Sequence, residues 1–190
     1  MNELARYLDS LQRANATVNL VSRRLSREEL ERHVAESLEA LPLLPPPRTD
    51  RGLRLLDLGS GGGLPAIPLL LVRRDIHGVL VEATGKKCRF LESAIAEAGL
   101  TAEVVNARFP AAFPMQRHRP FDLLTSRAVA DAGEMIRAAR PVLARGATAL
   151  LWTTEELGEA AAKVAAVHSW RFVRSGFAER RGIAVLECST

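Results

Sequence analysis

The most constraining feature of the sequence is an apolar run that ends in an acid and a cluster of glycines. Residues 55–72 read LLDLGSGGGLPAIPLLLV. The run around Asp57 predicts a buried strand, and the residues after Pro65 predict a helix, because proline is tolerated in a first helical turn. A glycine loop between a strand and a helix lies where open α/β sheets bind ligands. Gly59, Gly61 and Gly63 therefore indicate close approach of the backbone to a ligand.

The rest of the chain alternates between strand-like and helix-like apolar runs. Strands are predicted at 53–58, 78–82, 102–106, 121–126, 147–152, 169–174 and 182–188. Helices are predicted at 65–73, 86–98, 131–144 and 155–166. This alternation predicts an α/β fold with a mostly parallel seven-stranded sheet flanked by helices. The last two strands have no room for a helix between them, so we expect them to pair antiparallel.

The N-terminal part carries helical spacing without strands. Apolar residues predict helices at 2–15 and 28–41, and Ser26 with Glu29 predicts a capping box before the second. Prolines 42, 45, 46 and 47 then exclude a helix. We therefore predict a small helical N-terminal extension or cap over 1–47 and a main domain over 48–190.

Composition sets weaker bounds. The formal net charge is +4 and the pI about 9.7, which is compatible with a nucleic-acid partner, but nearly all of the positive charge is arginine. We see no secretory signal at the start and no apolar run long enough to span a bilayer, so we expect a cytoplasmic protein. Cys88 and Cys188 suggest no disulfide framework and are expected to be packing residues. We assign no metal site.

Three ligands could occupy the glycine loop. A triphosphate loop requires a Lys-Ser or Lys-Thr after its last glycine, and none follows here. A dinucleotide fingerprint requires glycine at position 64, which is Leu64. The pattern DxGxGxG, from Asp57 to Gly63, instead resembles motif I of class I methyltransferases that use S-adenosylmethionine. That ligand has no phosphate, and an acid before the glycines can bind its ammonium directly or through water.

Glu82 ends the next predicted strand, at about the 20-residue distance at which nucleotide-binding folds place a ribose-binding acid. A carboxylate there can accept hydrogen bonds from both ribose hydroxyls. The alternative is a solvated acid at the end of a strand.

Three further segments narrow the resemblance. LDLGSGGGLPAIPL, EATGKKCRFL and FDLLTSRAV are similar to motifs of the glucose-inhibited division protein B family. ANATVNLVSR and RHVAESL look like the helical leader of that family, so the resemblance covers about residues 7–152. It implies a class I methyltransferase (Rossmann-like) fold, S-adenosylmethionine as cofactor, a guanine N7 in small-subunit ribosomal RNA as acceptor, and ribosomal RNA or the small subunit as partner.

The resemblance also implies site residues. Ser126 and Arg127 are the candidates for positioning the substrate, and Lys86, Lys87, Arg127 and His33 are the candidates for contact with RNA. The predicted cofactor-binding residues are Asp57, Gly59, Ser60, Gly61, Gly63, Leu64, Glu82, Ala83, Ala107, Arg108, Phe109 and Arg127. Each has a plainer alternative: Arg127 can tie down its loop, Phe109 can be a core aromatic, and His33 can belong to a helix that packs on the domain edge.

The sequence departs from the family at Ala14, at Pro110 and at Trp152-Thr153. These changes put RNA docking or activity in doubt, while the glycine loop is intact. Two other functions therefore stay open at this point. One is a class I methyltransferase for a small molecule or a protein, and the other is a non-catalytic RNA- or ribosome-binding module that retains the fold. The sequence does not specify the oligomeric state, for which we expect a monomer.

Overall fold

A computed structural model describes residues 3–22, 25–48, 50–118, 120–127, 131–177 and 180–188. Two helices, α1 (Glu3–Val18) and α2 (Arg27–Leu38), precede the sheet. The strands are β1 (Leu53–Leu58), β2 (Ile76–Glu82), β3 (Ala102–Asn106), β4 (Phe121–Arg127), β5 (Leu143–Thr153), β6 (Ser169–Arg174) and β7 (Gly182–Glu187). The intervening helices are α3 (Ala66–Val72), α4 (Gly85–Ala98), α5 (Ala132–Ala139) and α6 (Glu155–Ala165).

The seven strands form one sheet in the order β3-β2-β1-β4-β5-β7-β6. β7 pairs antiparallel with both β5 and β6, and the other neighbouring pairs are parallel. The predicted sheet and the predicted antiparallel pairing of the last two strands are therefore confirmed. The carboxyl ends of β1 to β5 meet at one edge of the sheet, which we call the C-terminal edge.

The strand alternation explains how both faces of the sheet are covered. In β1, Leu53 and Leu55 pack in a cluster with α1, α2, α3 and α4, while Leu56 and Leu58 pack in a second cluster with α5 and α6. Successive side chains of a strand point to opposite faces, so an almost continuous apolar strand is buried on both sides. Asp57 lies on the first of these faces by the same alternation.

Two predicted helix ends were wrong. The helix predicted at 131–144 ends at Ala139, a 3-10 turn covers Arg140–Val142, and Leu143 already begins β5. Pro141 explains the early end, because proline lacks the amide that an interior helical position donates. The helix predicted at 28–41 ends at Leu38, and a second 3-10 turn, Leu41–Leu43, precedes the proline run.

The predicted helix at 2–15 extends to Val18, and its first position, Asn2, lies outside the described residues. The predicted capping box is confirmed, since the Ser26 side chain accepts from the Glu29 amide and the Glu29 carboxylate accepts from the Ser26 amide. Among the described residues, no helix is long and apolar enough to cross a membrane.

The N-terminal helices share the core of the sheet. Tyr7, Leu11, Leu30 and Val34 are buried in the same cluster as Leu55 of β1. The two parts predicted as 1–47 and 48–190 are thus joined by continuous apolar packing, and their standing as separate units remains a prediction.

Candidate active site

The glycine loop folds back over the end of β2. Gly59, Gly61 and Gly63 have φ values of 74°, 55° and 91°, which lie in the left-handed region that favours glycine. The amides of Gly59 and Ser60 donate to the Val81 carbonyl over 3.0 and 3.1 Å. The Ser60 hydroxyl, which is buried, donates to the Asp57 carbonyl over 3.1 Å. These bonds fix the loop against β1 and β2.

A cleft of about 590 Å³ opens beside this loop at the C-terminal edge. Its walls come from the ends of β1, β2 and β3 and from α5. The lining residues are Leu58, Gly59, Val81, Glu82, Ala83, Ala107, Arg108, Phe109, Pro110, Asp131, Glu134, Met135 and Ala138. Six of the predicted cofactor-binding residues are among them: Gly59, Glu82, Ala83, Ala107, Arg108 and Phe109.

The cleft has an excess of negative charge. Among the described residues, three carboxylates line it, those of Glu82, Asp131 and Glu134, against the guanidinium of Arg108; Arg137, outside the lining, pairs with Glu134. A site for phosphates is normally built from cationic side chains or from helix N-termini with free amides. This lining favours a ligand that carries positive charge.

Glu82 is held in place by the backbone of the loops on either side. One carboxylate oxygen accepts from the Gly61 amide over 3.0 Å, and the other accepts from the Thr84 amide over 2.8 Å. Its side chain is almost buried but lines the cleft. A carboxylate oxygen has two lone pairs, so each oxygen retains one for a ligand hydroxyl.

Asp57 lies beneath the loop and outside the cleft lining. The Thr125 hydroxyl donates to Oδ1 over 2.6 Å, while Oδ2 is buried and has no partner among the described residues. Burial, together with the negative charge of Glu82, raises the pKa of the Asp57 carboxyl to about 6. An unpartnered carboxylate oxygen in this position fits a cationic group or a bridging water.

The segment after β3 forms the opposite wall. Ala107 is buried, Arg108 is exposed, and Phe109 is half-buried. The Phe109 ring lies 5.5 Å from the Phe113 ring at an interplanar angle of 57°, which is an ordinary tilted aromatic pair. Phe109 thus both packs on the core and faces the cleft.

Four predicted loop contacts lie outside the cleft lining: Ser60, Gly61, Gly63 and Leu64. A Cβ at Gly63 would stand 2.5 Å from Ile67 Cδ1 and 3.2 Å from the Tyr7 hydroxyl, so this position faces the core. The Leu64 side chain is buried in the same core cluster. The side of Gly63 that lacks a side chain thus faces α1 and α3, and the cofactor contacts predicted for Gly63 and Leu64 stay predictions.

The two substrate-side candidates are both engaged by the protein. The buried Ser126 hydroxyl donates to the Leu58 carbonyl over 2.9 Å and so links β4 to β1. The Arg127 guanidinium forms an ion pair with Glu36 of α2 and contacts the His33 carbonyl and Nδ1, the latter at 2.7 Å. Arg127 thus lies against α2 rather than in the cleft. The almost buried carboxylate of Glu36 binds its guanidinium there by a charge-assisted hydrogen bond.

Arg127 does line a second, smaller pocket of about 130 Å³ at the same edge. This pocket lies between α2, the end of β5 and the turn between β6 and β7, and we call it the edge pocket. Its lining residues are Glu36, Glu39, Arg127, Trp152, Thr153, Thr154, Leu157, Ser175, Arg181 and Gly182. The role of Arg127 and Ser126 in positioning a substrate therefore stays a prediction.

The candidate RNA contacts differ in accessibility. Lys86 is exposed and Lys87 half-buried in the first turn of α4. His33 Nδ1 lies 3.1 Å from Glu36 Oε2 and 2.7 Å from an Arg127 nitrogen, and it hydrogen-bonds to one of them, as donor to the carboxylate or as acceptor from the guanidinium. Cys88 and Cys188 are buried, as predicted, and burial raises the pKa of both thiols. No group of metal-ligating side chains was found in the part of the chain that the structure describes.

Sequence reasoning missed four residues that shape the site. The Tyr7 hydroxyl donates to the Gly62 carbonyl over 2.7 Å, and Thr125 binds Asp57. Glu36 pairs with Arg127, and the Trp152 indole donates to the Glu36 carbonyl over 2.8 Å. Glu36 and Thr125 lay in segments already singled out, RHVAESL and TSRAV, and Trp152 was named as a departure from the family. None of these contacts was predicted, because each joins positions 55 to 116 apart in sequence.

Comparison with solved structures supports the fold. Precorrin-6y C5,15-methyltransferase from Geobacter metallireducens GS-15 aligns with a TM-score of 0.61 at 14% identity, covering 90% of this chain and 92% of that one. The 16S rRNA N2 G1207 methyltransferase of T. thermophilus, solved with AdoMet and guanosine, aligns with a TM-score of 0.55 at 21% identity, covering 80% and 38%. The fold is thus that of class I methyltransferases.

Sequence comparison identifies the family. The chain is 42% identical over 144 residues to ribosomal RNA small subunit methyltransferase G of Laribacter hongkongensis, covering 75% of this chain and 65% of that protein. It is 36% identical over 181 residues to the Acidiphilium cryptum protein of the same name, covering 93% and 79%. The chain thus spans less than two thirds of the first relative's length. The family model described as rRNA small subunit methyltransferase G matches residues 1–177, and the chain therefore belongs to this family.

Proposed function

We propose that this protein transfers a methyl group from S-adenosylmethionine to N7 of a guanine in small-subunit ribosomal RNA. The observation that carries the proposal is the acid-lined cleft at the C-terminal edge of a class I methyltransferase sheet, in a chain of the rRNA small subunit methyltransferase G family. We further propose that it acts in the cytoplasm, with ribosomal RNA or the small subunit as partner, and as a monomer.

The residues of the cleft fit this cofactor. S-adenosylmethionine carries a positively charged sulfonium and an ammonium, and the described lining of the cleft includes the carboxylates of Glu82 and Asp131, besides Glu134, which pairs with Arg137. The cofactor has no phosphate, so the absence of a phosphate-binding lysine after the glycines is no obstacle. The unpartnered Oδ2 of Asp57 is a further acceptor close to the loop.

We assign roles by position in the cleft. Glu82 would accept from the ribose hydroxyls with the lone pairs that Gly61 and Thr84 leave free. The segment from Ala107 to Phe109 would contact the adenine. Asp57 would balance the ammonium, directly or through water.

The proposed reaction requires no proton transfer by a side chain of the protein. When bound, the cofactor would supply an electrophilic methyl carbon on a positively charged sulfur. The lone pair of the acceptor would bond to that carbon as the carbon–sulfur bond breaks, leaving a neutral thioether. Guanine N7 carries no hydrogen, so no general base is required. The protein must hold the acceptor nitrogen in line with the methyl carbon and the sulfur. Proximity and orientation of this kind can lower the barrier by roughly 7–11 kcal/mol.

Two measurements separate this proposal from its alternatives. Calorimetry with S-adenosylmethionine should give a saturable heat, whereas a non-catalytic RNA-binding module would give none. Labelled cofactor should then transfer its methyl group to ribosomal RNA from a strain that lacks the modification. Transfer to small molecules or proteins, with none to RNA, would support the other methyltransferase function.

A further inference from the structure

The turn between β6 and β7 lies at the edge of the sheet that carries the cleft. Arg174, the last residue of β6, and Thr153, the last residue of β5, both pair with Gly182, the first residue of β7. The segment between β6 and β7, of which the structure describes residues 175–177, 180 and 181, therefore starts and ends level with the carboxyl end of β5, and we call it the turn. From a strand spacing of about 4.8 Å, β7 and β6 lie roughly 14–19 Å from β1 across the sheet.

An exposed aromatic ring and several guanidinium groups occur together on this turn. Phe177 is 50% exposed, although large apolar side chains are mostly buried in the described residues. Arg174, Arg180 and Arg181 are also exposed. The sequence from 174 to 181 holds three arginines and one acid, Glu179, which lies outside the described residues.

The start of the turn is held by one bond to the residue that follows α2 and by one bond within the turn. The Gly176 amide donates to Glu39 Oε1 over 2.6 Å, and the Phe177 amide donates to the Ser175 hydroxyl over 3.1 Å. These two bonds fix the stretch that presents the aromatic ring. Ordering it in advance lowers the entropic cost of binding a ligand there.

The arginines are available to an external anion. Arg174 contacts Glu155 at 3.4 Å, but both side chains are mostly exposed, and such pairs contribute little. Arg180 and Arg181 have no ion pair among the described residues. Arg181 also lines the edge pocket, as Arg127 does.

We propose that this turn is an RNA-docking arm, in which Phe177 stacks on an unpaired base and Arg180 and Arg181 contact the adjacent phosphates. The inference rests on the proposed function for its polyanionic substrate. An aromatic ring beside guanidinium groups is the chemistry that binds single-stranded nucleic acid. The acid-lined cleft repels phosphates, so an RNA strand has to be held by groups outside it.

The test measures affinity for a fluorescein-labelled, single-stranded oligoribonucleotide taken from small-subunit ribosomal RNA. Phe177→Ala should weaken binding about 5- to 100-fold, and Phe177→Tyr should restore it because it retains the ring. The logarithm of the binding constant falls linearly with the logarithm of salt concentration. The double variant Arg180→Ala with Arg181→Ala should make this slope less steep by about 1.4, at about 0.7 for each phosphate contact with a single strand.

Arg145→Ala is the matched control. Arg145 is exposed near the start of β5, at the opposite edge of the sheet, and its replacement removes one positive charge against two in the double variant, so the losses are compared per charge. Affinity for S-adenosylmethionine, measured by calorimetry, should be unchanged in every variant, which shows that the cleft is intact. Circular dichroism checks that each variant is folded.

The outcomes separate this proposal from the proposed function. RNA affinity unchanged in the turn variants, an equal loss in Arg145→Ala, or no RNA binding by the unaltered protein would overturn the docking arm. If the turn variants lose RNA affinity while the unaltered protein methylates no guanine, the arm stands and the proposed function fails.

Discussion

Asp57 and Glu82 are two carboxylates that differ in how completely the protein satisfies their hydrogen bonds. Glu82 accepts one backbone amide on each oxygen, whereas Asp57 is buried with one oxygen unpartnered. Glu82 is thus stabilised by the folded chain, and the ionised form of Asp57 is disfavoured by it. Substitution of the two acids should therefore change stability in opposite directions.

Asp57→Asn should stabilise the protein without cofactor and weaken cofactor binding. The native pKa of about 6 lies above the ordinary value of 3.8, so the native state keeps a proton that the unfolded chain loses, and stability falls as pH rises from about 4 to 6. Removing the cost of ionising the buried carboxyl should raise the free energy of unfolding by up to about 3 kcal/mol at pH 8. Thermal unfolding at pH 8 and pH 4 measures it, and a gain of equal size at both values would contradict the account.

Glu82→Gln should lower both stability and cofactor affinity. A carboxamide offers one acceptor oxygen, so the amide of Gly61 or of Thr84 loses its partner, at a cost of about 1–3 kcal/mol. Urea unfolding and calorimetry with S-adenosylmethionine would detect the two losses. Glu92→Gln, at an exposed position on α4, is the control and should change neither. Full stability in Glu82→Gln would show that the two amide bonds are dispensable.

Among the elements, α2 is joined to the ends of β4 and β5 by polar contacts in addition to its apolar packing. Glu36 and Arg127 are both largely buried, and the Trp152 indole donates to the Glu36 carbonyl from β5. Burial opposes ionisation of Glu36, but the hydrogen bond with His33 and the charge of Arg127 outweigh it and lower the pKa of the Glu36 carboxyl. The pair thus ties the N-terminal helices to the ends of β4 and β5.

Glu36→Gln should destabilise the protein by about 3–5 kcal/mol, because it leaves the Arg127 charge without a counterion. With a lowered native pKa, Glu36 contributes stability above the ordinary value of 4.5, and this contribution is lost as pH falls through the native pKa. Unfolding of Glu36→Gln should therefore depend less on pH in the acid range. Glu31→Gln, which breaks only a surface pair on the same helix, should behave like the unaltered protein.

Deletion of residues 1–47 tests whether the main segment folds alone. The N-terminal helices bury Tyr7, Leu11, Leu30 and Val34 against the sheet, and Tyr7 binds the glycine loop. Without them an apolar face of the sheet would be exposed, so we expect residues 48–190 to lack a cooperative thermal transition and to bind no cofactor. A cooperative transition with cofactor binding would establish 48–190 as an independent domain.

The elements could be predicted from sequence because their signals are local. Apolar runs located the strands, and Ser26 with Glu29 located the start of α2. The end of α5 was missed because the effect of Pro141 was not weighed against the apolar pattern. The partners of Arg127 and Asp57 were also missed, since Glu36 and Thr125 meet them only after distant segments fold together.

At the scale of the whole molecule, charge is divided along one edge of the sheet. Carboxylates line the cleft beside β1 and β2, and arginines occupy the turn beside β6 and β7. The net charge of +4 gave no sign of this division, because a total does not report where charges lie. A cationic cofactor and an anionic substrate can thus bind to different parts of the same edge.

Methyl transfer to guanine N7 leaves a product that can be mapped on the RNA. The protein would be incubated with S-adenosylmethionine and small-subunit ribosomal RNA that lacks the modification. Borohydride reduction followed by aniline treatment then cleaves the RNA at 7-methylguanine. The account predicts a new cleavage at a guanine, dependent on both protein and cofactor. Its absence, with a folded protein that binds the cofactor, would contradict the claim.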